Sequence, residues 1–253
     1  MKPQDRVRRR ALRQMKNNII KIEALSLTDR VTEILRNKIL DLSLTPGTQL
    51  DEKMLQSQFD FGRTPMREAL GRLVSEGLVE ARTSRGLRVT PFSLVNTLEL
   101  VDAYILCERM VSYNLRLFDD GLVDDLLEID KAYLKSSLNA ELLEITQQNA
   151  LFHARLALAT RNKYIIEYST KLHNLGRRLS FYIYKEEDAL PDKLRGLFDR
   201  TRGDHSSIIR CIRDQDREGL VANMTDHAKL FQERLGALLN LEKKFEFDLS
   251  LET

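Results

Sequence analysis

The chain has 253 residues, of which 42% are hydrophobic and 31% are charged, a length and balance that suit one or two helix-rich globular domains. No stretch reaches the ~18 apolar residues of a membrane-spanning helix, so we expect no membrane partner. The two cysteines, Cys107 and Cys211, match no zinc-ligand spacing, and we interpret them as reduced thiols of a cytoplasmic protein.

Charge is unevenly distributed along the chain. Residues 1–92 contain 18 Lys and Arg against 11 Asp and Glu, whereas the remainder contains 22 against 27. This asymmetry predicts that only the basic front half faces a polyanion. For the basic arm of residues 1–24 two interpretations stay open: contact with phosphates or a minor groove, or a tail that is basic for solubility.

The first predicted elements are two helices separated by a break. Apolar residues recur at helical spacing over 27–42. Pro46 and Gly47 then end the pattern. A short second helix is predicted from an N-cap at Asp51 to about Phe59.

A third helix and a hairpin follow. Thr64 stands directly before a proline, which predicts an N-cap followed by proline at the first helical position, and Gly77 ends this helix. Two β-prone segments, 78–81 and 87–90, flank a turn signal at 83–86. This order of elements predicts a winged helix-turn-helix over residues 25–92.

Residues 93–253 are predicted to form an all-α bundle. Pro191 is the only proline after Pro91, so long helices can run uninterrupted. Helical patterns cover 94–118, 122–136, 140–160, 162–186, 191–214 and 217–241. The expected fold class is mostly α, with an N-terminal winged helix-turn-helix and a C-terminal bundle of six to seven helices.

The start of the third helix carries side chains suited to DNA. In a helix-turn-helix the N-terminal residues of the second helix of the motif reach base edges, and here these are Arg63, Thr64, Met66 and Arg67. Arginine is suited to bidentate contact with guanine. Thr64 and the free N–H groups at a helix start suit phosphate.

Further DNA contacts are expected around that helix. Arg72 lies further along it and is expected to reach the backbone, and Lys53 on the preceding helix is expected to touch phosphate. Ser84, Arg85 and Gly86 occupy the tip of the hairpin, where a wing would meet the minor groove.

The four histidines all lie in the C-terminal half. Asn149 and His153 are four residues apart and share a helix face. His205 and His227 lie at equal distances from the break at 214–216, which places them at about the same height, roughly 16 Å, if the two helices are antiparallel. These four side chains can converge in the bundle, and imidazole suits zinc or nickel. On spacing alone, separate core or surface histidines remain the favoured alternative.

The motifs RTPMREALGRL and EGLV resemble the winged helix-turn-helix of the GntR family of transcription regulators. The resemblance covers about residues 27–92. It implies that Arg63 and Arg67 read bases, that Thr64 and Lys53 touch the backbone, and that Gly86 lets the wing approach the minor groove. It also implies a homodimer on double-stranded operator DNA.

Two residues depart from the family pattern in the turn before the third helix. Asp60 stands where the family usually has glycine, and aspartate tolerates the left-handed backbone better than most residues. Gly62 replaces the usual serine or threonine, which removes a hydroxyl that would bond phosphate.

The second half resembles the FCD ligand-binding domain of FadR-type GntR regulators. Many of these domains hold a divalent metal with Asp-x-x-x-His and two later histidines about 22 residues apart. The segments NALFH and DHSSIIRCIRDQDREGLVANMTDH match this pattern, so the resemblance implies His153, His205 and His227 as metal ligands. Asn149 replaces the usual aspartate and leaves the site one negative charge short.

A bound metal with open positions favours a carboxylate effector, such as a small organic or sugar acid. Arg177 or Arg178 is a candidate countercharge. His173 is expected either at the same cavity or at an ordinary helical position. Tyr104 stands where the family usually has arginine, and we count it with His173 and Arg177 as an effector-site candidate. Glu108 matches a family acid that we interpret as structural.

Together these features predict a ligand-responsive DNA-binding regulator that is not an enzyme. Ligand binding would shift the homodimer between geometries that fit and do not fit DNA. One alternative is a metal-dependent hydrolase that uses the histidine cluster, with Asp204 or Asp226 as its base. No HExxH motif, Gly-rich phosphate loop or nucleophile elbow supports it. A second alternative is an architectural DNA-binding protein that needs no ligand.

Overall fold

The computed structural model describes residues 26–82, 86–187 and 191–239. The basic arm, the wing-tip residues Ser84 and Arg85 and the C-terminal tail lie outside this part of the chain. The described residues divide after Thr90 into two compact units. None of the described helices is long and apolar enough to cross a membrane.

The first unit combines three helices with a small sheet. Its elements are α1 (Leu27–Leu40), β1 (Gln49–Leu50), α2 (Glu52–Phe59), α3 (Arg63–Ser75), β2 (Val79–Arg82) and β3 (Gly86–Val89). The helix-turn-helix consists of α2 and α3, and the hairpin β2–β3 forms the wing. The buried face of α3 carries Met66, Leu70 and Leu73, which pack in a core with Val31 and Leu35 of α1.

The turn between α2 and α3 is built around Asp60. This residue ends α2 with φ 55° and ψ 44°, in the left-handed region that aspartate enters more easily than most residues. The turn therefore forms as expected with aspartate in place of glycine. At the other end of α2, the Asp51 side chain accepts a hydrogen bond from the Met54 N–H, as expected of an N-cap.

The sheet has three strands rather than the two expected. β3 lies between β1 and β2, antiparallel to both, with Gln49 opposite Arg88 and Val79 opposite Val89. The segment after Pro46, which was expected only to end the first helix, also supplies β1. Its two residues are too few for an alternating pattern to indicate a strand in the sequence.

The second unit is a bundle of six described helices. They are α4 (Leu94–Asn114), α5 (Leu122–Leu138), α6 (Leu142–Ala159), α7 (Lys163–Glu187), α8 (Pro191–Arg213) and α9 (Arg217–Leu239). Apolar residues from several of these helices share one core, among them Leu126, Phe152, Ile208 and Met224. The bundle confirms the predicted all-α fold.

Candidate functional site

The N-terminus of α3 presents polar side chains to solvent. Arg63 and Arg67 are 71% and 59% exposed, and Thr64 is exposed between them. The Arg67 Nε lies 3.0 Å from a carboxylate oxygen of Glu52 on α2, an ion pair that holds the guanidinium at the surface. Met66 was expected with these residues, but it is fully buried because it lies on the opposite face of the helix.

The N-cap of α3 is Gly62, not Thr64 as the sequence indicated. Helical structure begins at Arg63, which places Thr64 and Pro65 both inside the first turn. Since Gly62 has no side chain, it makes no cap hydrogen bond. The first backbone N–H groups of the helix are thus free of a side-chain cap, an arrangement that suits a phosphate oxygen.

The other candidate DNA contacts surround α3. Lys53 is exposed on α2, and Gly86 is exposed at the start of β3 with φ +77°. Arg72 lies five residues after Arg67 on α3, and its guanidinium forms an ion pair with Asp29 of α1. Arg72 is thus ion-paired but half exposed, as Arg67 is, and Lys53 and Gly86 also face solvent.

In the helical unit, three histidines from three helices meet. His153 of α6, His205 of α8 and His227 of α9 are all buried, and a nitrogen of each ring lies within 4.8 Å of the other two. The Nε2 atoms of His153 and His227 are 3.2 Å apart. The Asn149 Oδ1 lies 3.2 Å from the Nε2 of His205. The four side chains expected to converge do so.

Each of these imidazoles has a carboxylate on its other nitrogen. The Nδ1 of His153 lies 2.8 Å from Glu108, that of His205 lies 3.1 Å from Asp130, and that of His227 lies 3.2 Å from Asp204. A carboxylate accepts a hydrogen bond from an N–H, so Nδ1 carries the ring proton in each neutral ring. In this tautomer the Nε2 lone pairs of His153 and His227 face each other at 3.2 Å, and a ring nitrogen of His205 lies within 4.8 Å of both.

This arrangement fits a divalent cation. Facing lone pairs repel one another unless a cation lies between them, and carboxylate-backed histidine is the usual form of a histidine metal ligand. At metal–nitrogen distances of about 2.0–2.1 Å, neighbouring ligand nitrogens lie roughly 3.0–3.4 Å apart. The separation of 3.2 Å between His153 and His227 lies in this range.

The protonation states also favour metal binding. Burial lowers the pKa of His205 to about 4, and it also lowers the pKa of His153 and of His227. Burial alone would raise the pKa of Glu108, but the adjacent His153 and His173 imidazoles hold it well below its ordinary value. Near neutral pH the site therefore offers neutral imidazoles supported by a carboxylate.

His173 belongs to the same network rather than to an ordinary helical surface. Its Nε2 lies 2.7 Å from the second oxygen of Glu108, and its ring stacks on His153 with centroids 4.5 Å apart. Tyr104 contacts His173 edge-on, with centroids 4.6 Å apart, and its ring also lies over Gly176. Glu108, interpreted from the sequence as structural, thus links two imidazoles at the centre of the site.

A small pocket, partly open to solvent, adjoins the histidine cluster. Its wall combines polar side chains with two apolar ones, and its lining residues are Tyr104, Asn149, Ser180, Tyr184, Thr201, His227, Leu230, Phe231 and Arg234. The cationic side chain in this wall is Arg234, which sequence reasoning missed. An arginine near the end of the last helix carries no motif that would have indicated it.

The two arginines expected to supply a countercharge are not in this wall. Arg177 lies about 100° around α7 from Gly176, and its Nε contacts the hydroxyl of Thr146. Arg178 is buried with its guanidinium 4.5 Å above the ring of Phe92. Of the effector-site candidates, Tyr104 lines the pocket and His173 lies behind it.

A helix-turn-helix with exposed arginines at the start of its second helix, followed by a helical unit with a histidine cluster and an adjoining pocket, is the architecture of a ligand-responsive DNA-binding transcription regulator. The model of the gntR family of bacterial regulatory proteins matches residues 27–89, and the FCD domain model matches residues 110–230. The chain belongs to the GntR family, with an FCD domain as its second half.

Curated relatives agree with this membership. The chain is 28% identical over 196 residues to the gluconate operon transcriptional repressor of Bacillus licheniformis, covering 77% of this chain and 79% of that protein. It is 30% identical over 154 residues to the HTH-type transcriptional repressor GlaR of Escherichia coli K12, covering 58% and 69%.

Two solved structures share the fold. E. coli McbR/YncC superposes with a TM-score of 0.70 at 21% identity, covering 87% of this chain and 100% of that one. A GntR transcriptional regulator from Rhodococcus sp. RHA1 gives 0.68 at 20% identity, covering 83% and 98%.

Proposed function

We propose that this regulator binds operator DNA as a cytoplasmic homodimer and senses a small carboxylate at a metal ion in its helical domain. The proposed domains are the basic arm 1–24, the DNA-binding domain 25–92 and the ligand-binding and dimerisation domain 93–253. The observation that carries the metal part is the set of three buried imidazoles, each with a carboxylate at Nδ1 and with a ring nitrogen within 4.8 Å of the other two.

The proposed metal ligands are His153, His205, His227 and Asn149. Imidazole nitrogens with one amide oxygen suit an ion of the zinc or nickel type. All four direct ligands are neutral, so none of them carries a charge that offsets that of the ion. When bound, the ion would supply that charge and a coordination position for an anionic ligand. His227 and Asn149 also line the pocket, so the charge of a bound ion would lie beside it.

The proposed DNA contacts follow from exposure and charge. Arg63 and Arg67 project from α3 as a pair one turn apart and are suited to guanine edges in the major groove. Thr64 and Lys53 are exposed beside them and are assigned to phosphates. Gly86 and Arg85 are assigned to the wing, and Arg72, which is half exposed and paired with Asp29, is assigned to the backbone.

Regulation follows from linkage. An effector that binds one arrangement of the dimer more tightly shifts the population toward it. The two recognition helices must meet half-sites at a fixed separation, so a small rotation between protomers loses base and phosphate contacts. We infer no catalytic role, since the chain's family and curated relatives are transcription regulators.

The proposal is tested by selecting bound sequences from random DNA duplexes with zinc-loaded protein. We expect a two-fold-related operator and a steep loss of affinity with added salt. A carboxylate effector should change operator affinity in the presence of zinc and have no effect after chelation. Selection that returns no sequence preference would refute operator binding, and an equal effector response without metal would refute the metal-linked site.

A further inference from the structure

One face of α4, the first helix of the second unit, is uncovered in the single chain. The helix packs against α7 and α9, and the side chains buried in this packing include Val101, Tyr104 and Glu108. The other side of the helix carries exposed residues at helical spacing, and we call them the outer face of α4: Val95, Leu98, Asp102, Leu106, Arg109 and Tyr113.

The outer face of α4 is more apolar than a solvated helix surface, which normally carries charged and polar residues. Leu98, Leu106 and Tyr113 are 47%, 63% and 60% exposed, and Val95 is 42% exposed. A single exposed apolar side chain is ordinary, but several on one helix face form a patch of the kind that marks an interaction site. This face therefore suits a partner that offers apolar side chains of its own.

Two charges of opposite sign lie within this apolar face. Asp102 and Arg109 are seven residues apart, so they lie nearly in line along the helix at a separation of about 10 Å. Both are exposed, and neither forms an ion pair within the described part of the chain. A second copy of α4 that runs antiparallel would bring its own arginine to the aspartate and its own aspartate to the arginine.

The apolar residues follow the same symmetry as the charges. Leu98 precedes Asp102 by four residues, and Tyr113 follows Arg109 by four residues. These four positions are therefore symmetric about the midpoint between residues 105 and 106. In a two-fold contact, if residue i meets residue j of the partner, then j also meets i. An axis at this midpoint places Asp102 against the partner's Arg109 and Leu98 against the partner's Tyr113.

The charges also set the direction of the second helix. A parallel copy of α4 in register would place Asp102 opposite the partner's Asp102 and Arg109 opposite the partner's Arg109. Like charges opposed across an interface cost several kcal/mol, whereas the antiparallel copy opposes only unlike charges. The pattern of the outer face thus favours one direction and one register.

We propose that the outer face of α4 is the homodimer contact of the helical unit, with the two copies of α4 antiparallel and joined by two reciprocal ion pairs between Asp102 and Arg109. The inference rests on the homodimer of the proposed function. It goes beyond that function by naming the surface, the direction of the helices and their register. It also connects the dimer to the pocket, because Tyr104 lines the pocket from the buried side of α4, within one turn of the two-fold axis.

The first experiment reverses each charge in the full-length protein. Asp102→Arg sets positive charges against each other at both symmetric positions, and Arg109→Asp sets negative charges against each other there. We expect sedimentation equilibrium to show dimerisation at least about tenfold weaker in each variant. Asp226→Arg is the matched control, because Asp226 is 73% exposed on α9, and this variant should dimerise as the wild type does.

A mixture of the two variants distinguishes a lost contact from a lost fold. In a mixed dimer the Asp102→Arg chain is positive at both positions and the Arg109→Asp chain is negative at both, so each contact again joins opposite charges. We expect the mixture, and also the double variant alone, to dimerise at least about tenfold more tightly than either single variant. Single variants that dimerise as tightly as the wild type overturn the inference, and so does a mixture that dimerises no better than its components.

A disulfide tests the register without introducing repulsion. Asp102→Cys and Arg109→Cys chains, mixed and mildly oxidised, should form a covalent dimer, because opposed residues of packed helices come within disulfide reach. Each variant alone should not, since its two new cysteines would be about 10 Å apart along the helix axes. The native cysteines, Cys107 and Cys211, are buried. A mixture that gives no more covalent dimer than the separate variants overturns the register, also if the charge-reversed chains fail to fold.

Failure of the inference and failure of the proposed function give different results. Wild-type protein that stays monomeric both free and on operator DNA refutes the homodimer together with the inference. A wild-type dimer that persists through both charge reversals, with no cross-link in the cysteine mixture, overturns the inference alone. The homodimer of the proposed function then stands, with its contact on another surface.

Discussion

The three carboxylates behind the histidines can be tested by substitutions that remove charge and keep shape. Glu108→Gln, Asp130→Asn and Asp204→Asn each leave a side chain of nearly the same volume beside the same Nδ1. The amide oxygen still accepts a hydrogen bond, but the imidazole loses the negative charge that raises its basicity toward a metal. We expect each substitution to weaken zinc binding.

The loss of zinc affinity should be larger where the substituted carboxylate is more deeply buried. Loss of an outer partner of a metal ligand typically lowers affinity 10–100-fold, or about 1.4–2.7 kcal/mol. The side chains of Glu108, Asp130 and Asp204 are 1%, 11% and 28% exposed. Because water screens exposed charges more strongly, Glu108→Gln should cost most and Asp204→Asn least.

The assay is competitive titration of zinc against a chromophoric chelator at pH 7.5. Asp226→Asn is the matched control, because Asp226 adjoins His227 in sequence but is 73% exposed and pairs with Lys229. Thermal unfolding of each variant without metal separates lost affinity from lost structure. If Asp130→Asn, Asp204→Asn and the control all hold zinc equally well, these carboxylates do not support metal ligands and our reasoning is refuted.

Three further outcomes are expected. Arg67→Ala should weaken operator binding by about 1–3 kcal/mol and relax sequence preference; Arg200→Ala, which removes a similarly paired arginine from the helical unit, should change neither in anisotropy titrations. Gly176→Ala places a Cβ 3.2 Å from the Tyr104 ring, so calorimetry should record weaker acid binding while operator affinity without acid stays unchanged. Burial lowers the pKa of His205 from 6.5 to about 4. Between pH 6.5 and pH 4 this imidazole is therefore protonated in the unfolded chain but not in the folded protein. The free energy of unfolding of the metal-free protein, measured in urea, should therefore fall by about 3 kcal/mol through this residue between pH 6.5 and pH 4. The fall should be smaller in His205→Gln.

Periodicity predicted the helices well because each buries one long apolar face. The first helix of the bundle was expected to continue to residue 118 but ends at Asn114. Arg217 explains the difference, since its guanidinium donates to the backbone carbonyls of Ser112 and Leu115. These partners are more than 100 residues away in sequence, so no local pattern indicates the contact.

The candidate site was predictable to the extent that helix geometry fixes it. Equal spacing from a break placed His205 and His227 side by side, and their ring centroids are 5.1 Å apart. The partners Asp130 and Arg234 were not predictable. Asp130 meets His205 across 75 residues of sequence, and Arg234 meets Glu187 across 47. Such pairs depend on how helices pack, which spacing along one helix does not specify.

The network around the histidines takes one side chain from every described helix of the second unit, α4 to α9. In that order the side chains are Glu108, Asp130, His153, His173, His205 and His227. An ion at their centre would cross-link the whole bundle, so its rigidity would depend on metal supply. If the effector binds only the cross-linked form, the protein would respond only when the effector and the metal ion are present together.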